Sequence, residues 1–156
     1  MSILAIQKAK QLHLRHPGVY FPLDMEGLAS LEGCECVTWP FIPPIREVKC
    51  GRWIGLAMGL SVVERRFLIA HALAHHLMHC GNQLTFYAYQ ETLRRQQEND
   101  ADCCAAHILI PEEQIIGLEQ LSLWEIAEHF GVPEELGFKR IAVYATMAEM
   151  ERWRRS

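Results

Sequence analysis

Two histidines stand four residues apart in Arg66-Phe67-Leu68-Ile69-Ala70-His71-Ala72-Leu73-Ala74-His75-His76. Residues four apart share one face of a helix, so His71 and His75 can turn two imidazoles toward one ion. The spacing is that of H-E-x-x-H, a helical motif whose histidines bind zinc and whose glutamate takes a proton from water. Ala72 stands at the glutamate's place. The stretch therefore carries the metal-binding half of a hydrolytic site and lacks the general base at its usual position. Histidines at this spacing also occur in ordinary core helices, so the pair alone does not define a site.

A third donor changes the balance. Catalytic zinc takes three protein ligands, two histidines and a glutamate being one common set, and keeps a position for water. Downstream, Glu98-Asn99-Asp100-Ala101-Asp102 places Glu98 and Asp102 on one helix face, with Asp100 directed away from both. Glu98 is the candidate third ligand. Asp102, one turn on, can accept the free ring N–H of a liganding histidine and so fix its tautomer. A solvated acidic turn is the bland alternative, but Ala101, Cys104, Ala105 and Ile108 mark this helix as half buried. His79 lies one turn further along the His71–His75 stripe and defines a rival ligand set. His76 and His107 are left as structural or substrate-side residues, and no residue is assigned to substrate binding.

The elements that must hold these residues are legible in outline. Ser61 and Glu64 form a capping box that opens the His71 helix, and Cys80-Gly81-Asn82 supplies a stop. A helix is expected over residues 3–15, ending before Pro17-Gly18, and a short one opens at Pro22-Leu23-Asp24 and runs to about Leu31. Strands are expected at Cys34–Trp39, Ile45–Cys50 and Trp53–Met58, the last two joined by a tight turn at Gly51-Arg52. A loop follows from Gly81 to about Tyr89. The Glu98 helix ends at Pro111, which starts another short helix. Ser122 and Glu125 form a second capping box for a helix over 123–130, stopped by Gly131, and Pro133 is expected at the first position of a long last helix. The fold class is α+β: one domain over residues 1–156, a small sheet packed on several helices, with a helical C-terminal segment over 123–154.

These motifs, taken together, resemble the ImmA/IrrE family of metallopeptidases. The family's metal helix commonly reads R-F-x-x-A-H-E-x-x-H-H-x-x-H, matched from Arg66 to His79 except at Ala72. Its third-ligand helix is similar to Glu98-Asn99-Asp100-Ala101-Asp102-Cys103-Cys104-Ala105-Ala106-His107-Ile108-Leu109-Ile110-Pro111. Weaker likeness covers Leu123–Pro133 with Lys139-Arg140-Ile141, and Phe21-Pro22-Leu23-Asp24. The resemblance implies a zincin-like core, a zinc cofactor on His71, His75 and Glu98, and action in the cytoplasm on a helix-turn-helix repressor that is cleaved to release transcription. Ala72 bears on activity rather than on fold. Ala72 is read as an introduced Glu→Ala change, with natural loss of the base as the alternative, and the chain as it stands is expected to be inactive or nearly so. An extended peptide substrate is expected beside a sheet edge, for which Trp53–Met58 is the candidate. Tyr144 and Arg140 are the candidate oxyanion donors.

Composition limits the other classes. The chain has 156 residues, half of them hydrophobic, which suits one domain with a real core. No apolar run is long enough to span a bilayer. Met1–Lys8 is expected to open an amphipathic helix rather than a signal peptide, so the six cysteines are expected as thiols. Cys34, Cys36 and Cys50 are expected as strand residues, since their spacing is not that of a zinc knuckle. A net charge of −4 argues against direct nucleic-acid binding, although Lys139, Arg140, Arg152, Arg154 and Arg155 gather late. Three classes remain: a zinc endopeptidase, a pseudopeptidase that binds the same repressor without cutting it, and a DNA-binding regulator acting through residues 123–145. Zinc content of about one per chain that survives His79→Ala is expected, and loss of zinc in that variant would instead favour the rival set.

Overall fold

The computed structural model describes residues 2–79 and 91–155. Among them are seven helices and three strands. In chain order these are α1 (Ile3–Arg15), α2 (Met25–Leu31), β1 (Glu35–Trp39), β2 (Glu47–Cys50), β3 (Trp53–Ala57), α3 (Val62–His79), α4 (Glu91–Leu109), α5 (Glu112–Ile115), α6 (Leu123–Phe130) and α7 (Glu134–Arg155). The expected stop at Cys80-Gly81-Asn82 and the loop from Gly81 lie outside the described residues.

Local chemistry accounts for most helix ends. Ser2 caps α1 by accepting from the Ala5 N–H at 3.2 Å, and Asp24 caps α2 by accepting from Gly27 at 3.1 Å. The Asp24 cap moves the start of α2 to Met25, three residues after the expected opening at Pro22. The Ser61–Glu64 box forms, with Glu64 N–H donating to Ser61 Oγ at 3.1 Å and Ser61 N–H donating to Glu64 Oε2 at 3.4 Å. Ser122 and Glu125 form the second box over the expected span. Gly131 ends α6 at φ 62, a left-handed position where a side chain would be strained. Pro133 stands just before α7 rather than inside it, and its carbonyl accepts from Gly137.

The sheet corrects one expectation. Its order is β1-β3-β2, with β1 parallel and β2 antiparallel to β3. Trp53–Met58 is therefore the centre of the sheet and not a free edge. The reason lies in its two faces. Ile54 and Leu56 are wholly buried on the helix side, while a Cβ on Gly55 would meet the Phe41 ring at 2.8 Å on the other. A strand covered on both faces belongs inside a sheet, and the edges fall to β1 and β2.

Helix α3 packs on β2, β3, α1, α2 and α4, and α4 packs also on α1 and α7. The core between them holds Ile69, Leu73, Ile108, Leu109 and Phe130. His13 shares a hydrogen bond with the Ile108 carbonyl at 2.9 Å, tying α1 to α4, and Arg140 donates to the Ile110 carbonyl at 2.9 Å, tying on α7. Arg66 is a further clamp. Its guanidinium donates to the carbonyls of Gly131 at 3.0 Å, Phe130 at 3.1 Å and Leu23. A cation at the end of α6 thus satisfies carbonyls that the helix leaves open. Arg66→Ala is expected to lower stability by about 2–4 kcal/mol in urea unfolding, because part-buried carbonyls lose a charged donor. A loss below about 0.5 kcal/mol, the level of an ordinary surface change, would show that water replaces the clamp.

Candidate metal centre

Helices α3 and α4 bring four side chains to one place. His71 and His75 come from α3 and are 8% and 4% exposed. Glu98 and Asp102 come from α4, where one turn separates them. His71 Nδ1 lies 2.9 Å from Asp102 Oδ1, and its Nε2 lies 3.1 Å from Glu98 Oε2. His75 Nε2 lies 3.1 Å from His71 Nε2 and 3.2 Å from Glu98 Oε1. The two rings meet edge to face, and Phe67, one turn earlier on α3, packs its ring against His71. The two carboxylates thus bracket a single imidazole, and the Glu98 oxygens divide between the two histidines.

Charge follows from this geometry. Burial alone would lower the His71 pKa, but the hydrogen bonds it donates to Asp102 and Glu98 outweigh it and raise the value to about 10. The same histidines hold the Glu98 carboxyl well below the usual carboxylate range. A further acid faces the cluster from the sheet. Glu47 on β2 is pushed up to about 7 by burial, an effect opposed by His71 and reinforced by Glu98.

A divalent ion fits these donors. Tetrahedral ligation at roughly 2.0–2.1 Å from zinc separates ligand atoms by roughly 3.3 Å. The three separations among His71, His75 and Glu98 are 3.1, 3.1 and 3.2 Å. One ligand atom from each residue lies within 4.8 Å of the others. Asp102 holds the opposite ring nitrogen of His71, which leaves Nε2 directed at the shared point. Ala72 is wholly buried and offers no polar atom there.

Other residues singled out in the sequence stand apart from this cluster. His107 Nδ1 is 2.8 Å from the Cys103 carbonyl, and burial followed by the nearby Arg140 lowers its pKa to about 4. Arg140 spends its Nε on Ile110, and Tyr144 packs half-buried against the core. His76 is half-buried and lowered by burial and Lys49. The side chain of His79 lies outside the described residues. Cys34, Cys36, Cys50, Cys103 and Cys104 are free, and among the described residues they form no metal-ligating group. A cavity of about 650 Å³ reaches the site along Phe67 and Asp102 and continues past His107, Leu136, Lys139 and Arg140.

The sequence reading missed Glu47. Alternation along Ile45-Arg46-Glu47-Val48-Lys49-Cys50 points to Val48 as the inward residue, yet Lys49 is the one at 2% exposure. The only signal was that Glu47 and Lys49 share a face.

Together these observations describe an α+β fold with two histidines and one glutamate, from two helices, that could hold a metal ion. The chain belongs to the peptidase M78 family, described as the IrrE N-terminal-like domain, whose model matches residues 44–141. No curated protein matches. A Mycobacterium tuberculosis transcriptional regulator shares the fold at a TM-score of 0.61 and 16% identity, over 88% of this chain and 46% of that one. This chain therefore spans about half the length of that regulator. Among the described residues no helix is long and apolar enough to cross a membrane.

Asp102→Asn is expected to weaken zinc binding by roughly 10–100-fold, the usual effect of removing the carboxylate behind a liganding histidine. Glu98→Ala is expected to cost more, since it removes a ligand. Competition with a chromophoric chelator measures both, and equal affinity in Asp102→Asn and the unchanged chain would contradict the role given to Asp102.

Proposed function

We propose that the chain is a zinc-dependent endopeptidase scaffold of the ImmA/IrrE type that engages a helix-turn-helix transcriptional repressor in the cytoplasm. Proton transfer from position 72 is absent because that residue is alanine. The observation that carries this reading is the convergence of His71, His75 and Glu98, with Asp102 behind His71. Family membership supports the reaction class, and a structural relative bearing the name of a transcriptional regulator supports the setting.

His71, His75 and Glu98 would hold the metal. When bound, zinc supplies an acidified water and polarises the scissile carbonyl. The protein does the rest. Asp102 keeps His71 in one tautomer, Phe67 shields one side of its ring, and the cavity beside Asp102 accommodates a partner's side chain. An extended peptide would add to β2, the sheet edge whose Glu47 faces His71, where main-chain hydrogen bonds give affinity.

A second reading is a pseudopeptidase that binds the repressor without cutting it, favoured by the buried, apolar Ala72. DNA binding through residues 123–145 is disfavoured. The α6–α7 pair supplies a helix-turn-helix outline, but Glu125, Glu128, Glu134 and Glu135 on it would repel phosphate.

The test is cleavage of the captured partner by the Ala72→Glu chain, with and without chelator. A positioned base is worth about 10²–10⁴-fold in rate, and a gain of that order that needs zinc is expected. A zinc-loaded Ala72→Glu chain that leaves the bound partner intact would favour the pseudopeptidase reading.

A further inference from the structure

The chain retains an acid that the metal helix lacks. Glu47 pairs across β2 and β3 with Leu56, and Lys49 pairs with Ile54. Residues opposite one another in an antiparallel pair point to the same face. Leu56 and Ile54 are wholly buried, so Glu47 and Lys49 also point into the layer between sheet and helices. Helix α3 packs on that layer. Lys49 turns its ammonium to the Gly51 carbonyl. Glu47 Oε1 is buried and has no hydrogen-bond partner among the described residues. A buried acceptor without a donor costs stability, so a vacancy of this kind asks for a use. Glu47 lies close enough to His71 and Glu98 for their charges to act on it.

Its distance from the centre limits that use. The atoms within 4.8 Å of one another come from His71, His75 and Glu98, and Glu47 is not among them. It stands outside that group, on the sheet instead of the helix.

We propose that Glu47 supplies, from strand β2, the proton-accepting carboxylate that Ala72 cannot. This rests on the peptidase reading above. In peptide hydrolysis Glu47 takes a proton from water as the water oxygen bonds to the carbonyl carbon. It returns that proton to the amide nitrogen as the C–N bond breaks. Acid and amine leave, and Glu47 ends as the carboxylate it began. Whatever hydrolysis the unchanged chain performs runs through this residue, with a rate below that of a helix-borne glutamate.

The test counts protons rather than turnover. Benzohydroxamic acid is neutral near pH 6, where zinc-bound water also largely keeps its proton, and it gives up a proton when it binds zinc as the anion. Its binding to the zinc-loaded chain is followed by calorimetry in buffers of different ionisation enthalpy. In the unchanged chain Glu47 is expected to keep the proton, so the buffer receives almost none. In Glu47→Gln the proton is expected to reach the buffer, with hydroxamate bound about ten- to a hundred-fold more weakly. Zinc retained by this variant shows that it is folded. The double variant Glu47→Gln with Ala72→Glu is expected to keep the proton again. Equal release from the unchanged chain and Glu47→Gln would overturn the role of Glu47 alone. A loss of zinc affinity in Glu47→Gln as large as in Glu98→Ala would make Glu47 a ligand and overturn it too. A zinc-loaded chain that binds no hydroxamate would overturn the peptidase reading and this inference together.

Discussion

Everything at the centre of this molecule depends on one imidazole held between two carboxylates a helical turn apart. Asp102 takes one nitrogen of His71 and Glu98 the other. A buried imidazolium alone would be costly, and the two more exposed carboxylates beside it offset that cost. The arrangement sets the register of α4 against α3, since sliding either helix by a residue would break both contacts. It also fixes which nitrogen of His71 points inward, and so where a cation would sit. The distant devices serve that alignment. The Ser61 cap starts α3 at the right residue, Arg66 ties α3 to the end of α6, and His13 steadies α4 from α1.

Much of this was legible in the sequence because it is local. Caps at Ser61, Asp24 and Ser122 and the stop at Gly131 are chemistry between near neighbours, and the helices they bound form as expected apart from small shifts at Pro22 and Pro133. The four cluster residues were legible for the same reason, because i, i+4 spacing on each helix decides which side chains share a face. That the two faces meet is a tertiary fact, anticipated by the donor chemistry of Glu98 and Asp102 and by the family resemblance rather than by periodicity.

What the sequence did not disclose is long-range. The order β1-β3-β2 needs β1 to cross over and lie parallel to β3, and nothing in Cys34–Trp39 or Trp53–Met58 specifies that neighbour. The strand expected over Ile45–Cys50 carried no assignment of which face looks inward. An acid and a lysine flanking Val48 look like the solvent face of a strand, yet they face the helices, where Lys49 finds the Gly51 carbonyl and Glu47 finds the field of His71. A polar residue at an inward position breaks the local rule, and such breaks concentrate at functional sites. Ala72 and Glu47 are then two departures from the usual pattern: the helix carries alanine where the motif has glutamate, and the sheet carries an inward-facing acid.

The central claim is that His71, His75 and Glu98 hold the metal. X-ray absorption at the zinc edge of the purified chain tests it most directly. The expected spectrum has nitrogen and oxygen neighbours at roughly 2.0–2.1 Å, with the imidazole signature lost stepwise in His71→Ala and His75→Ala. Sulfur neighbours at roughly 2.3 Å, unchanged in those variants, would place the metal on cysteines and contradict the claim.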